Sequence, residues 1–263
     1  MSEEILAKYK EYGYPSVGKL YTLLKGKFKT KEIEAVINPT TVKQIFYDKK
    51  KAPGGHLLAY APNQSSQCDI TFLDKFGTTN KNYKYLLLVE DVFSRYAQAI
   101  PLKSKNIDEV VDAFEKLQYK PELLTSDNGS EFVGKQFQDM LEEKGIAHRT
   151  TTIDDHHALG VIDRLTRTLK NIIYKHFIAE NNTHWYDKID QILKAYNNSP
   201  NRGIYNYTPN EAMHDKDAID ILTTANMQLS HVANIKRAIK EGDSVRIRVN
   251  APPTLRSSVV LPV

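Results

Sequence analysis

The sequence predicts an α/β protein: a mixed five-stranded sheet flanked by helices, a small helical segment before it and a short β segment after it. Three observations carry this. Apolar strand-like runs occur at Gln67–Asp74, Tyr85–Val89 and Tyr96–Leu102 before any long helical period sets in. A helical pattern with Val110, Val111, Phe114 and Leu117 on one side then leads to a further strand at Leu123, the strand–helix–strand order of a sheet with covered faces. From Leu159 to about Ala179, Ile162, Leu165, Leu169, Ile172, Ile173 and His176/Phe177 fall on one arc of a long helix.

Residues 1–51 read as short helices: Glu4–Glu11, Val17–Leu24, and a third with Thr30 as N-cap and Ile33, Val36 and Ile37 on its inner side. Pro39 ends that pattern, and 41–47 read as a last turn or two. Residues 52–63, opened by Ala52-Pro53-Gly54-Gly55, read as a linker. The sheet-bearing core spans 64–213, with further helices at 135–144 and 185–196 and a short strand at 146–150; 151–158 show no periodicity and read as a loop. Residues 214–263 read as a linker and the start of a C-terminal β domain, whose one clear strand is 244–249.

With 263 residues, 41% of them hydrophobic, the chain is long enough for a full core. No run of about 18 apolar residues is present, so no membrane is expected, and the charged N-terminus lacks an apolar signal region. One cysteine, Cys68, excludes an internal disulfide and a Cys-rich zinc site, which suits an intracellular protein. The net charge of +4 is uneven: residues 1–51 carry 11 Lys/Arg against 6 Asp/Glu, and 236–263 carry 6 against 2. Basic arms around an acidic centre suit a protein that grips a polyanion and collects cations. Ordinary solvated surface charge is the competing reading.

The acidic centre has a pattern. Asp69 sits mid-strand, where an ionised carboxylate needs a partner. Asp127 ends the strand that begins at Leu123, and Asp163 opens the long helix after 35 intervening residues. Three carboxylates converging from a strand, a strand tip and a helix would hold two Mg²⁺ or Mn²⁺ ions, hard cations that take oxygen ligands and serve phosphoryl transfer. An acid falls at any chosen offset about one time in eight here, so spacing alone is weak and the placement carries the case. Each aspartate has a turn or cap role as its alternative, above all Asp127 before Asn128-Gly129. Asp163, Arg167, Lys170 and Tyr174 lie at i, i+4, i+7 and i+11, a stripe apart from the buried arc. Arg167 and Lys170 are expected on DNA phosphates, as are Lys25, Lys27 and Lys29 of the N-terminal helices, for which a packing or dimerisation role competes. His156 and His157 read as idle loop residues, with a phosphate contact as the competing role.

Residues 64–213 resemble the catalytic core of retroviral-type integrases, the RNase H-like DDE superfamily, and are most similar to those of Polinton/Maverick elements and virophages. The residues carrying this are Asp69; Asp91-Val-Phe-Ser-Arg-Tyr with Ile100-Pro-Leu; Thr125-Ser-Asp-Asn-Gly-Ser-Glu-Phe; Val161-Ile-Asp-Arg-Leu-Thr-Arg-Thr-Leu-Lys; Tyr196-Asn; and Tyr207-Thr-Pro-Asn-Glu-Ala. Gly18-Lys-Leu-Tyr and Gly242-Asp-Ser-Val-Arg-Ile are similar to their N-terminal helical region and to the opening strand of their SH3- or chromo-like domain. The resemblance implies 3′-end processing of element DNA and strand transfer into target DNA. It further implies two metal ions held by Asp69, Asp127 and Asp163, with Asn128 and Glu131 positioning DNA or the metal site, for which a turn-stabilising role competes equally. It also implies a dimer or tetramer working in the host nucleus, with packaging in a virion as a second location. Two departures stand out: the third acid is Asp163 where the family usually has Glu, and Thr166 stands where Asn is common. The family's His/Cys zinc-binding domain is not evident. The rival expectations are an integrase-like protein that holds DNA or assembles without catalysis, a nuclease of this fold, and a cut-and-paste transposase.

Overall fold

The computed structural model describes residues 2–40, 57–151 and 158–234. The 41–47 turn, His156 and His157, and the 244–249 strand lie outside them. The chain divides into two units, residues 1–227 and 228–263. The sheet, the helices on its faces and the N-terminal helices all belong to the first.

The sheet has five strands: β1 (Ser65–Phe72), β2 (Tyr85–Asp91), β3 (Ala97–Leu102), β4 (Leu123–Ser126) and β5 (Ala147–Thr150), in spatial order β3-β2-β1-β4-β5. β1, β2 and β3 form an antiparallel meander, because the connections between them are turns. β4 lies parallel to β1 and β5 parallel to β4, because helices carry the chain back over the sheet.

Alternation along β1 sorts its side chains onto two faces. Cys68 and Ile70 join Leu87, Val89 and Leu124 under α4 (Ile107–Glu115), α5 (Ser130–Val133) and α6 (Lys135–Glu143), with Phe114, Phe132 and Phe137 filling the layer. On the other face, Leu86, Leu88, Ala97 and Ala99 pack against α7 (Gly160–Glu180) and α8 (Ile189–Asn197). The arc expected on α7 is buried: Ile162, Leu165, Leu169, Ile172, Ile173 and His176. Gln67, Asp69 and Thr71 therefore share the α7 face with Leu88, the cross-strand partner of Asp69.

Three short helices, α1 (Ser2–Glu11), α2 (Val17–Leu23) and α3 (Thr30–Ile37), close over their own buried cluster of Ile5, Tyr9, Tyr14, Leu20, Leu24, Phe28, Ile33 and Ile37. Thr30 is not the N-cap of α3. That place belongs to Lys29, whose backbone N–H donates to Glu32 Oε2 at 2.8 Å, so the Glu three residues on does the capping. The cluster docks on the second half of α7. Tyr14 lies edge-on to His176 with centroids 5.2 Å apart, and Lys175 Nζ donates to the Tyr14 carbonyl at 2.9 Å. Gly13 (φ +66°) presses so close to Ile172 that a Cβ would stand 2.8 Å from its Cγ2, so glycine is required twice over.

A further expectation changes. The stretch from 214 read as a linker carries a helix, α10 (Lys216–Asn234), after α9 (Pro209–His214); in it Ala218 and Leu222 are buried. Tyr196 and Asn197 tie the end of α8 to the sheet. The Asn197 side chain accepts from Ala97 N–H at 2.9 Å and donates to Ala97 O at 2.8 Å, stitching α8 to β3. Thr208 caps α9 in a reciprocal box with Glu211.

Candidate active site

Pairing of β1 with β4 ends at Gln67↔Thr125. Carried two residues further, the same register sets Asp127 beside Asp69, at the strand tip where β4 stops and the chain turns into α5. Asp163 comes from the first turn of α7 on the same face.

That first turn is held by a residue that no sequence motif singles out. Leu159, the N-cap of α7, has no side-chain cap. Gln67, fully buried on β1, supplies it instead: its Oε1 accepts from Val161 N–H at 3.1 Å and Ile162 N–H at 3.0 Å, and its Nε2 donates to Ala158 O at 2.5 Å. The orphan donors of the helix start are thus satisfied from a strand 94 residues earlier, two positions from Asp69. The only available signal was a polar residue at an inward position of the strand.

The charges of Asp127 and Asp163 reach Asp69. Burial pushes the Asp69 carboxyl up, Asp127 and Asp163 push it further, and its own bond to Ile70 N–H and the Lys170 ammonium oppose them. The Asp163 carboxyl is also raised by burial, against the pull of Arg167. Cys68 reports the same field: burial raises its thiol, with Asp69 and Asp127 adding to it. Asp163 and Arg167 are exposed and Lys170 half-buried, so the stripe faces away from the core as expected.

The turn after β4 is crowded with oxygen. Asp127 Oδ1 accepts from Gly129 N–H at 3.0 Å, the Asx turn expected as the alternative role of Asp127. A Cβ on Gly129 would stand 3.0 Å from both Asp127 Oδ1 and Glu131 Oε2, so glycine lets two carboxylates flank one turn. Glu131 is buried and paired with Lys105 at 3.2 Å. The Asn128 side chain donates to Thr151 O at 2.8 Å, tying the turn to the end of β5.

The donor set suits a hard divalent cation, since it is all carboxylate and its like charges raise Asp69 in a way a cation would relieve. Among the described residues, no three Asp, Glu, His or Cys side chains stand close enough to hold one ion together, so shared ligation requires side-chain movement. Of the N-terminal lysines, Lys27 is taken up by Glu4, at 2.7 and 2.9 Å, and lies over the Phe28 ring. Lys25 stands in a left-handed turn (φ +50°) between α2 and α3, and Lys29 caps α3. No described helix is long and apolar enough to cross a membrane.

The mixed five-stranded sheet with helices on both faces is the architecture of the RNase H-like retroviral integrase cores. Comparison with known proteins gives the same class: residues 59–156 match the integrase core domain family. A transposon-derived protein of Caenorhabditis elegans is 26% identical over 179 residues, 66% of this chain and 58% of the relative. The Gag-Pol polyprotein of avian reticuloendotheliosis virus is 28% identical over 158 residues, 58% of this chain and 13% of the polyprotein. The chain thus spans less than two thirds of these curated relatives. Among solved structures, a chain of the simian T-cell lymphotropic virus intasome in complex with PP2A regulatory subunit B56 gamma overlays with a TM-score of 0.57. The two are 19% identical, with 94% of this chain and 87% of that chain covered.

Proposed function

We propose that this protein is a DNA integrase that processes the 3′ ends of a mobile or viral element and joins them to target DNA. The observation that supports the reading is the placement of Asp69 on β1, Asp127 just past the end of β4 and Asp163 on the first turn of α7, the first two within the stretch matching the integrase core domain and the third seven residues beyond it. Asp69, Asp127 and Asp163 would hold two Mg²⁺ or Mn²⁺ ions, which when bound supply Lewis-acid polarisation of the phosphoryl group and a more acidic attacking hydroxyl. Gln67 keeps Asp163 at the strand edge by fixing the start of α7. Gly129 leaves room for the Asp127 carboxylate against the turn. Arg167 and Lys170 give the DNA backbone two cations on the same stripe as Asp163. Element ends and target DNA are the partners, a dimer or tetramer the working form, and the host nucleus or a virion the location. The motif runs from Asp91 to Ala212 support placing the source near Polinton/Maverick and virophage integrases.

A second reading has one observation in its favour. Because no three acids close on a common point among the described residues, and Asp163 is one methylene shorter than Glu, the protein would hold DNA ends or assemble on them without catalysis. A joining assay with a labelled duplex and plasmid target, in Mg²⁺ or Mn²⁺, separates the two. Joining by the wild type that disappears in Asp69→Asn, Asp127→Asn and Asp163→Asn supports the enzyme. Absence of joining by the wild type, with joining restored in Asp163→Glu, supports the holder. Nicking by water without joining would assign a nuclease.

A further inference from the structure

A cavity of about 470 Å³ opens on the flank of α7 beside the face bearing Asp163, between that helix, α2, the β2–β3 turn and the segment before α9. Four cations reach it from four separate parts of the chain: Lys19 of α2, Arg95 of the β2–β3 turn, Arg164 of α7 and Arg202. None of them makes a salt bridge within 4 Å among the described residues. Arg95 Nε and Nη1 are buried with no hydrogen-bond partner, on a residue held in the left-handed region at φ +61°. Gly18 faces Arg202: a Cβ there would lie 3.4 Å from Arg202 Nη2, in ordinary contact with it.

The one acid in the lining is Glu90, 2% exposed, the register partner of Gln67. Its Oε1 accepts from Tyr196 OH at 3.0 Å, while Oε2 is buried without a partner. Burial pushes this carboxyl up to about 8 despite Arg95, Tyr196 and Arg164, so at neutral pH it is mostly protonated and neutralises little of the charge around it. Burial likewise drags the Lys19 ammonium down to about 8. Asp91 also acts on Arg95, yet the cations outnumber the acids around the cavity, and such an excess is unfavourable unless a ligand supplies counter-charge. Guanidinium forks with free N–H donors fit the oxygens of a phosphate.

We propose that this cavity binds a phosphate group, received by Arg95, Arg164, Arg202 and Lys19, and that its occupancy joins the N-terminal helices to the start of α7. The ligand is a phosphomonoester or a phosphodiester of a nucleic-acid strand, and neither requires the integrase reading to hold.

The test is calorimetric titration of the full chain with pyrophosphate, without divalent metal and at constant ionic strength, paired with thermal melts. Saturable binding that raises the unfolding midpoint is expected. Arg164→Gln and Arg202→Gln should each weaken it about tenfold, the effect of losing one charge-assisted hydrogen bond. Lys135→Gln, an exposed residue paired with Asp139 on α6, should bind as the wild type does. Circular dichroism of each variant without ligand checks folding, and Arg202→Lys and Lys19→Gln stand in for any that unfolds. Competition names the source: displacement of pyrophosphate by a short duplex assigns the phosphate to a DNA strand, and displacement only by a mononucleotide assigns it to a free phosphomonoester. Absence of saturable binding, or equal affinity in folded Arg164→Gln and Arg202→Gln, overturns the proposal. Neither result depends on whether DNA joining is observed.

Discussion

Replacing Gln67 by leucine removes the cap of α7 while keeping the volume of the side chain nearly constant. Three hydrogen bonds vanish, leaving the Val161 and Ile162 N–H groups and the Ala158 carbonyl without partners. Ile162 is fully buried and Val161 nearly so, so water cannot replace both bonds. Each buried group left unsatisfied costs about 1–3 kcal/mol. Added apolar burial returns about 1–2 kcal/mol, since Gln67 is fully enclosed. The net loss is about 1–8 kcal/mol, about 4–5 at mid-range, which lowers the unfolding midpoint by roughly 10–20 °C for a unit of this size. Thermal melts give that number. Hydrogen exchange adds the location, because the Val161 and Ile162 amides should lose protection well ahead of those in the middle of α7. A midpoint within about 2 °C of wild type, with both amides equally protected, would refute the strand-borne cap.

Three further outcomes are expected from the site and its surroundings. The Asp69 carboxyl is raised in the fold, first by burial and then by Asp127 and Asp163, so its ionisation opposes folding once pH exceeds the unfolded carboxylate range near about 4. Asp127→Asn should therefore raise the midpoint at pH 7, with the gain fading as pH drops below about 4; a variant less stable at pH 7 contradicts the shared field. Glu90→Gln keeps an acceptor for Tyr196 but removes a carboxyl whose folded value is about 8. Wild type and variant should melt alike near pH 4, and the wild type should fall progressively behind up to about pH 8 and hold that deficit above it; parallel profiles would mean Glu90 is not buried as an acid. Arg167→Ala and Lys170→Ala should each weaken duplex binding about 3–10-fold and reduce the slope of log K against log salt by about one, read by fluorescence anisotropy. An unchanged slope would take both residues off the DNA.

The order of strands and helices was legible because each element repeats its signal over many residues. The arc from Ile162 to His176 has several chances to betray a helical period, and β1 to β3 are bounded by turn residues. The three aspartates were legible one at a time, by their position in an element. Caps were harder to read, since Thr30 and Lys29 are adjacent and a Glu three residues on serves either start. The helix after 214 was missed because its buried side is thin, with Ala218 and Leu222 its main inward residues.

Local pattern by itself determined the sheet, the buried face of α7 and the elements on which Asp69, Asp127 and Asp163 stand, because periodicity and turn chemistry act between neighbours in the chain. Only the tertiary structure decided that Gln67 caps a helix far downstream of its own strand, that Lys27 is spent on Glu4, and that Lys19, Arg95, Arg164 and Arg202 surround one cavity. Those relations join residues far apart in sequence, and hydrogen-bond and charge partners leave no periodic trace. They are chosen when the faces of β1 and α7 close on each other and each buried polar group must find a partner in whatever arrives beside it.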